Sequence, residues 1–435
     1  MNKKNIVVLG FMLFSLFFGA GNLIFPPLVG MQAGDYFTPA IIGFLLTAVC
    51  IPFLAVLSVS FSNDGLLEIG RRVSPLFGVI FAMLVYLSIG ALYGIPRAAS
   101  VAYELGFTQI FVVENKMALF IFTLIFFTIT YFLSVDAKKM IDNIGKILTP
   151  ALLIVLTILF VQAFMKLNYE GRVPDAKFES SPFLTGFLEG YFTMDAIAAL
   201  AFGIVVINGL KLMGVNEKKD IIKGTAFAGI ISSIGLILVY LSLSWIGRVL
   251  TYDVEMTNGA DILVYASKVL FGGTGSVLFG VIVLLACLTT SVGLTNACAS
   301  FFHEIYPKLK FKQFVFLFVV VGMLITNLGL NTILAIATPI LVFIYPFAIV
   351  LIILACIQPM IGESRKMYVG SMIVTSIFAI LSVLDFFEIH INIIENIFGY
   401  LPLYADGLGW IVPAFVIAII GYIIDQSQGK VKRAI

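Results

Sequence analysis

Ser15-Leu16-Phe17-Phe18-Gly19-Ala20-Gly21-Asn22-Leu23-Ile24-Phe25-Pro26-Pro27 reads badly as the middle of a membrane helix. It sits inside an apolar run from Ile6 to Val29, and about 20 such residues are enough to span a bilayer. Gly19, Gly21 and Asn22 fall near its centre, where hydrocarbon is thickest. Glycine weakens a helix by roughly 1 kcal/mol relative to alanine, and a Gly-x-Gly pair lets it open. Opened backbone in lipid exposes N–H and C=O groups without partners. It is tolerated only where it is buried in protein or lines a cavity. The stretch therefore predicts a broken helix turned toward the inside of a bundle, with the rest of the chain as its scaffold.

The composition agrees. The 435 residues are 61% hydrophobic and only 11% charged, whereas a soluble domain is about 25% charged. This is the composition of an all-α polytopic protein whose main partner is the lipid bilayer. A net charge of +2, without a basic cluster, gives no basis for nucleic-acid binding. Cys50, Cys287, Cys298 and Cys356 lie in apolar segments without metal-ligand spacing and read as small packing residues. His303 and His390 stand alone, so no cofactor or metal centre is expected from them. The N-terminus imitates a signal peptide, but its apolar run continues through Leu23-Ile24-Phe25 and further spans follow. It reads as a retained first helix.

Twelve apolar segments are visible: 6–30, 37–61, 74–93, 116–134, 147–165, 184–210, 222–246, 274–302, 313–328, 333–357, 367–385 and 408–424. Alternating the connections places 19 Lys and Arg on the side of the N-terminus and 7 on the other. Positive loops stay inside, so both termini are expected in the cytoplasm. The long connections 94–115, 166–183, 247–273 and 386–407 then fall outside. Residues 255–271 and 386–401 have helical apolar spacing and read as external helices, over a transport path or on the membrane surface.

Polar residues inside spans are costly and so informative. In helix 6, Glu189-Gly190-Tyr191-Phe192-Thr193-Met194-Asp195 puts two carboxylates and a glycine inside an apolar segment. Asp195 has membrane depth, while Glu189 lies nearer the outer mouth. Both are candidate coupling carboxylates; the plainer role for Asp195 is a helix cap or a partner for Asn or Ser. In helix 8, Thr289, Thr290 and Ser291 follow one another. Their hydroxyls suit a hard cation, or simply bond their own i−4 carbonyls. Tyr86, Ser88, Gly90 and Tyr93 give helix 3 gaps and hydroxyls, and Pro339 and Pro346 are expected to kink helix 10.

The breaks in helices 1 and 6 are five spans apart. Interrupted spans at matching positions of two halves point to a secondary transporter with inverted repeats. Helices 1–5 (residues 1–165) and 6–10 (residues 166–357) are the expected repeats, with residues 358–435 holding two accessory helices and a cytoplasmic tail. Freed N–H groups at Gly19, Ala20, Gly21 and Asn22 suit a carboxylate, and half-helix carbonyl ends suit an ammonium or a cation. No Arg or Lys is expected in the central part of a span. The substrate then reads as a neutral, apolar amino acid. A nucleophile–base or metal set is not found on the spans, so enzymatic activity is not expected.

These residues carry a resemblance. Phe14–Pro27, Gly90-Ala91-Leu92-Tyr93-Gly94-Ile95-Pro96-Arg97-Ala98 and Glu189–Ala196 are similar to the branched-chain amino acid:cation symporters (the BrnQ family), and the similarity covers essentially the whole chain. It implies uptake of leucine, isoleucine and valine across a bacterial inner membrane, by alternating access, driven by Na⁺ or H⁺. It also implies a LeuT-like five-plus-five fold of twelve helices, broken in helices 1 and 6. Within that fold, Gly19 to Asn22 match the substrate-carboxylate segment, with Tyr93, Phe192, Thr193, Asp195 and Ser291 around the substrate. Thr289 and Thr290 match side-chain ligands of one Na⁺ site, completed by carbonyls of Ser15, Phe18 and Ala286. A further Na⁺ site is implied at Phe17, Asn22 and Thr193. Asp195 departs from the fold's usual small neutral residue, which leaves Na⁺ favoured and H⁺ open. A broader neutral amino acid carrier and a non-transporting amino acid sensor are the alternatives.

Overall fold

The computed structural model describes residues 3–62, 65–111, 115–135, 140–251, 256, 258–389 and 397–431. Each of the twelve apolar segments lies in or across helix. Among the described residues, eight helical stretches are long and apolar enough to cross a bilayer, and four shorter apolar helices accompany them.

Helix 1 is split into Lys3–Phe17 and Ala20–Ala33, and helix 6 into Pro182–Glu189 and Asp195–Leu212. The chain therefore breaks at both places that its glycines and polar residues single out. Helix 2 runs from Phe37 to Ser60 with a π-turn at Leu46–Cys50. The sequence reads helix 3 over 74–93 and leaves open a continuation as helix through Tyr103. It does run on, through Gly94–Val101 and a π-turn to Phe111, after an interruption at residues 90–93. Most of the expected outer connection 94–115 is thus helix, and Arg97 is removed from the outer charge count. Helix 7 is Lys218–Val249, and helix 8 occupies the later part of Gly259–Ile305, which bends at Gly272. The segment from Gly259 to that bend is the helix expected within 255–271. Of 386–401, residues 390–396 lie outside the described residues. Pro339 and Pro346 sit inside a helix that continues from Leu330 to Ile361.

Both halves of helix 1 pack on helix 7, and both halves of helix 6 pack on helix 2. The halves Ala20–Ala33 and Pro182–Glu189 come to backbone contact with helices 7 and 2. A Cβ on Gly30 would lie 1.8 Å from the Ser244 carbonyl oxygen, and one on Gly247 2.0 Å from that of Pro27. Likewise a Cβ on Gly43 would lie 1.9 Å from the Phe183 carbonyl oxygen, and one on Gly186 2.0 Å from that of Ala40. Only glycine lets helices approach this closely. Helix 3 packs on helix 8, helix 4 (Lys116–Val135) on helix 9 (Phe311–Thr326), and helix 5 (Met140–Lys166) on helix 8. Helix 10 packs on helix 3.

Helices 11 (Arg365–Phe386) and 12 (Ile411–Ser427) pack on each other, and helix 11 packs on helix 10. Asp425 closes the start of helix 11, accepting from Ser364 Oγ at 2.7 Å and from the Lys366 N–H at 2.8 Å. Cys287 and Cys298 are buried, and the Cys298 thiol donates to the Tyr86 carbonyl at 3.1 Å. They are packing residues, as their apolar surroundings suggest.

Candidate substrate and ion site

The two breaks meet. Gly19 is extended (φ −131°, ψ −162°), which ends one half-helix and starts the next at Ala20. The first N–H groups of that second half have no intrahelical partner and carry its positive dipole end. Asn22 turns back to accept from the Gly19 N–H at 3.1 Å. In helix 6, a 3₁₀ turn at Gly190–Thr193 is followed by Met194 in the left-handed region (φ 68°). That conformation costs a non-glycine residue of order 1–3 kcal/mol, and it redirects the chain so that Asp195 begins the inner half-helix.

Asn22 then reaches across. Its amide Nδ2 donates to both oxygens of Asp195, at 3.1 and 2.9 Å, and to the Tyr240 hydroxyl. Tyr240, from helix 7, donates to Asp195 Oδ2. Asn22, Asp195 and Tyr240 are all buried. A buried carboxylate is tolerated because its oxygens are held by fixed donors. Asp195 is therefore both the partner for an Asn and a first-turn carboxylate at a helix start. Thr193 stays within its own break, donating to the Gly190 carbonyl at 2.9 Å and accepting from the Asp195 N–H at 3.4 Å. Asn22 and Thr193, the two polar side chains that the resemblance implied for a further Na⁺ site, thus have protein partners. Phe17 packs its ring on Phe202, and no hydrogen bond joins the three.

The expectation that no Arg or Lys lies within a span is corrected by Arg97, which is 6% exposed. The interruption at residues 90–93 and the turn that follows swing Tyr93 and Arg97 inward from helix 3. Nη1 donates to the Tyr93 hydroxyl at 3.0 Å and to the Phe192 carbonyl at 2.6 Å, and Nη2 donates to the Thr193 carbonyl at 3.2 Å. The guanidinium carbon lies 4.5 Å from the Tyr93 ring centre and 5.8 Å from that of Phe25. The Phe25 and Phe192 rings lie 5.7 Å apart. A Cβ on Gly21 would stand 2.6 to 2.7 Å from Nη2, Cζ and Nη1, so Gly21 faces the flat of the guanidinium.

Helix 8 meets the helix 1 break at Thr290. A Cβ on Gly19 would lie 2.9 Å from Thr290 Cγ2 and 3.2 Å from its Oγ1. That Oγ1 is buried without a hydrogen-bond partner. Thr289 donates to the Ala286 carbonyl at 2.7 Å. Phe18, just past the end of the first half-helix, stacks on Phe14, and Ser15 lies in the last turn of that half-helix. Ser291 is buried, its hydroxyl without a partner, and no hydrogen bond ties it to the breaks. Glu189 stands apart, in a 2.6 Å ion pair with Lys177 of the connection before helix 6. Its charge is matched there.

A cavity of about 400 Å³ lies on the N-terminal side of the breaks. Met12 and Leu16 of helix 1, Leu200 and Ile204 of helix 6, and Gly293 and Asn296 of helix 8 contribute to its wall.

A buried polar centre between two opened helices, inside an apolar bundle, is the core of a membrane transporter. The comparisons agree. A family model described as "Branched-chain amino acid transport protein" matches residues 2–428. The branched-chain amino acid permease BraB of Bacillus subtilis is 39% identical over 434 residues, 99% of this chain and 97% of that one. Among solved structures, the nucleobase-cation-symport-1 family transporter Mhp1 aligns with a TM-score of 0.60 at 16% identity, covering 98% of this chain and 95% of that one. A manganese transporter of Eremococcus coleocola aligns with a TM-score of 0.59 at 17% identity, covering 97% and 94%. At such identities the solved structures speak for the fold alone, which is the LeuT-like one. The chain belongs to the branched-chain amino acid transport protein family, a family of transporters and not of enzymes.

Proposed function

We propose that this protein imports leucine, isoleucine and valine by Na⁺-coupled symport with alternating access. One observation carries the reading: the breaks of helices 1 and 6 converge on a single buried polar centre, with the Asn22 amide on the Asp195 carboxylate. Around it the walls are aromatic and aliphatic, as a zwitterion with an apolar side chain requires. The names of the family and of its relatives supply the branched-chain class.

Twelve spans, with both termini in the cytoplasm of a bacterial inner membrane, complete the proposal. The packing supports the inverted repeat. Exchanging helices 1 with 6 and 2 with 7 maps one observed contact pair onto the other, as does exchanging 3 with 8 and 5 with 10 for the pairs 5–8 and 3–10. The cavity lies toward the termini, and the Phe25–Phe192 pair with Arg97 lies on the opposite side of the breaks. This suits a form that communicates with the cytoplasm.

Na⁺ is supported by Thr290, whose partnerless hydroxyl abuts Gly19. Thr289, Ser15, Phe18 and Ala286 are proposed to complete its ligands. A buried Asp195 beside a phenol favours the second reading, proton coupling. Leucine uptake into proteoliposomes under separate Na⁺ and H⁺ gradients decides. Uptake under the Na⁺ gradient is expected. Uptake driven by H⁺ alone replaces the ion, and uptake under neither ends the symport reading.

A further inference from the structure

We propose that Arg97 binds the substrate's carboxylate through the open edge of its guanidinium, and so ties the substrate to helices 1, 3 and 6 together. The inference rests on the amino acid transport reading and deepens it.

An arginine has five N–H donors in a rigid fork. Nη1 gives two of them, to Tyr93 and Phe192, and Nη2 gives one to Thr193. Nε is buried and has no partner, and Nη2 has only one. These two nitrogens form the side edge of the fork, which a carboxylate engages through two parallel bonds. The rest of the group is locked: three bonds hold it, Tyr93 and Phe25 flank it, and Gly21 lies against its flat. Asp195 does not fill the open edge, since both of its oxygens face Asn22. A buried cation with one edge open, beside the freed N–H groups of the half-helix that starts at Ala20, is a preorganised site for a small carboxylate. A closed ion pair would leave nothing for a ligand.

The fork also links the substrate to the helix 6 break. The two carbonyls that Arg97 holds belong to the break itself. A carboxylate on one edge therefore bears on the conformation fixed by the other.

Competition between leucine and leucinamide for the purified full-length protein tests this, because leucinamide keeps the ammonium and the side chain and removes the carboxylate. Wild-type protein is expected to prefer leucine by about 100-fold or more. Arg97→Gln should bring that preference near parity, and Arg97→Lys, which keeps the charge without the fork, should fall between. Arg97→Gln with the wild-type preference, whatever its affinity, makes Arg97 only a prop for helix 6 and overturns the assignment. Should Arg97→Gln fail to fold, wild-type protein that binds leucine and leucinamide equally overturns it just as well. Wild-type protein that binds no branched-chain amino acid overturns the transport reading and this assignment with it.

Discussion

One amide, that of Asn22, is bonded to the backbone of its own break, to Asp195 of helix 6 and to Tyr240 of helix 7. Its position in Gly-Ala-Gly-Asn made it conspicuous in the sequence, and Asp195 was conspicuous for the same reason. Tyr240 was not. A tyrosine inside an apolar span counts as one more aromatic, and only the fold shows where its hydroxyl goes. Arg97 escaped differently. The interruption at residues 90–93 lowers the apolar pattern just before it, so the arginine was counted with the outer connections even though helix through Tyr103 was left open. The apolar and small residues that follow it, Ala98-Ala99-Ser100-Val101-Ala102, were the available signal that the helix goes on. At helix 8 the sequence put Thr289 and Thr290 forward together, and the structure separates them. Thr289 is bonded within its own helix, whereas the Thr290 hydroxyl has no partner and meets Gly19. Thr290→Ala is therefore expected to raise the Na⁺ concentration for half-maximal leucine uptake by about 10-fold, the order of one hydrogen bond to a charged group. Unchanged Na⁺ dependence removes Thr290 from the ion site.

At the level of helices, each break has a local cause and a neighbour that stabilises it. Helix 1 opens at Gly19 and is held by Asn22. Helix 6 opens at Gly190 to Met194, and Arg97 holds the carbonyls of Phe192 and Thr193 that no helix bonds. The helix 3 interruption is the third part of this arrangement, because without it Arg97 and Tyr93 could not point at the centre. The first two breaks were legible in glycines and polar residues at mid-span; the third lay at a span's apparent end. Gly21→Ala tests how these elements lock together. The added Cβ would meet the guanidinium at 2.6 to 2.7 Å, and moving it aside gives up charged hydrogen bonds of about 1.5–3 kcal/mol each. We expect at least a 10-fold rise in the KM for leucine, roughly 1.4 kcal/mol or more. Gly273→Ala, with nothing within 4 Å of its Cβ, is the control and should match wild type. Equal uptake kinetics for the two variants would show that Gly21 and Arg97 do not depend on each other.

At the level of the whole molecule, the bundle followed from composition and the twelve segments from hydropathy, because burial in lipid leaves few polar residues to confuse the pattern. The proposed repeat was legible only in the paired breaks, since the two halves share little residue similarity. The packing of helix 1 on helix 7 and of helix 6 on helix 2, of which sequence has no record, supports it. Arg97 and Asp195 give the molecule a further property. They place a guanidinium and a carboxyl around the same breaks, and with the carboxyl ionised the two charges cancel. An empty carrier then has no net charge at its centre, and neither does one that holds only a zwitterion. In the proposed symport a coupling cation would add one elementary charge, as Na⁺ or as a proton on Asp195, and the membrane potential would do about 2.3 kcal/mol of work on it per 100 mV. On a solid-supported membrane, leucine with its coupling ion should evoke an inward current that grows with potential. Return of the empty carrier should be indifferent to voltage, and a strong voltage dependence of that return would mean that the two charges do not move as a pair. With the return indifferent to voltage, the cell's potential acts as a one-way drive on the loaded step, leaving the reset to thermal motion.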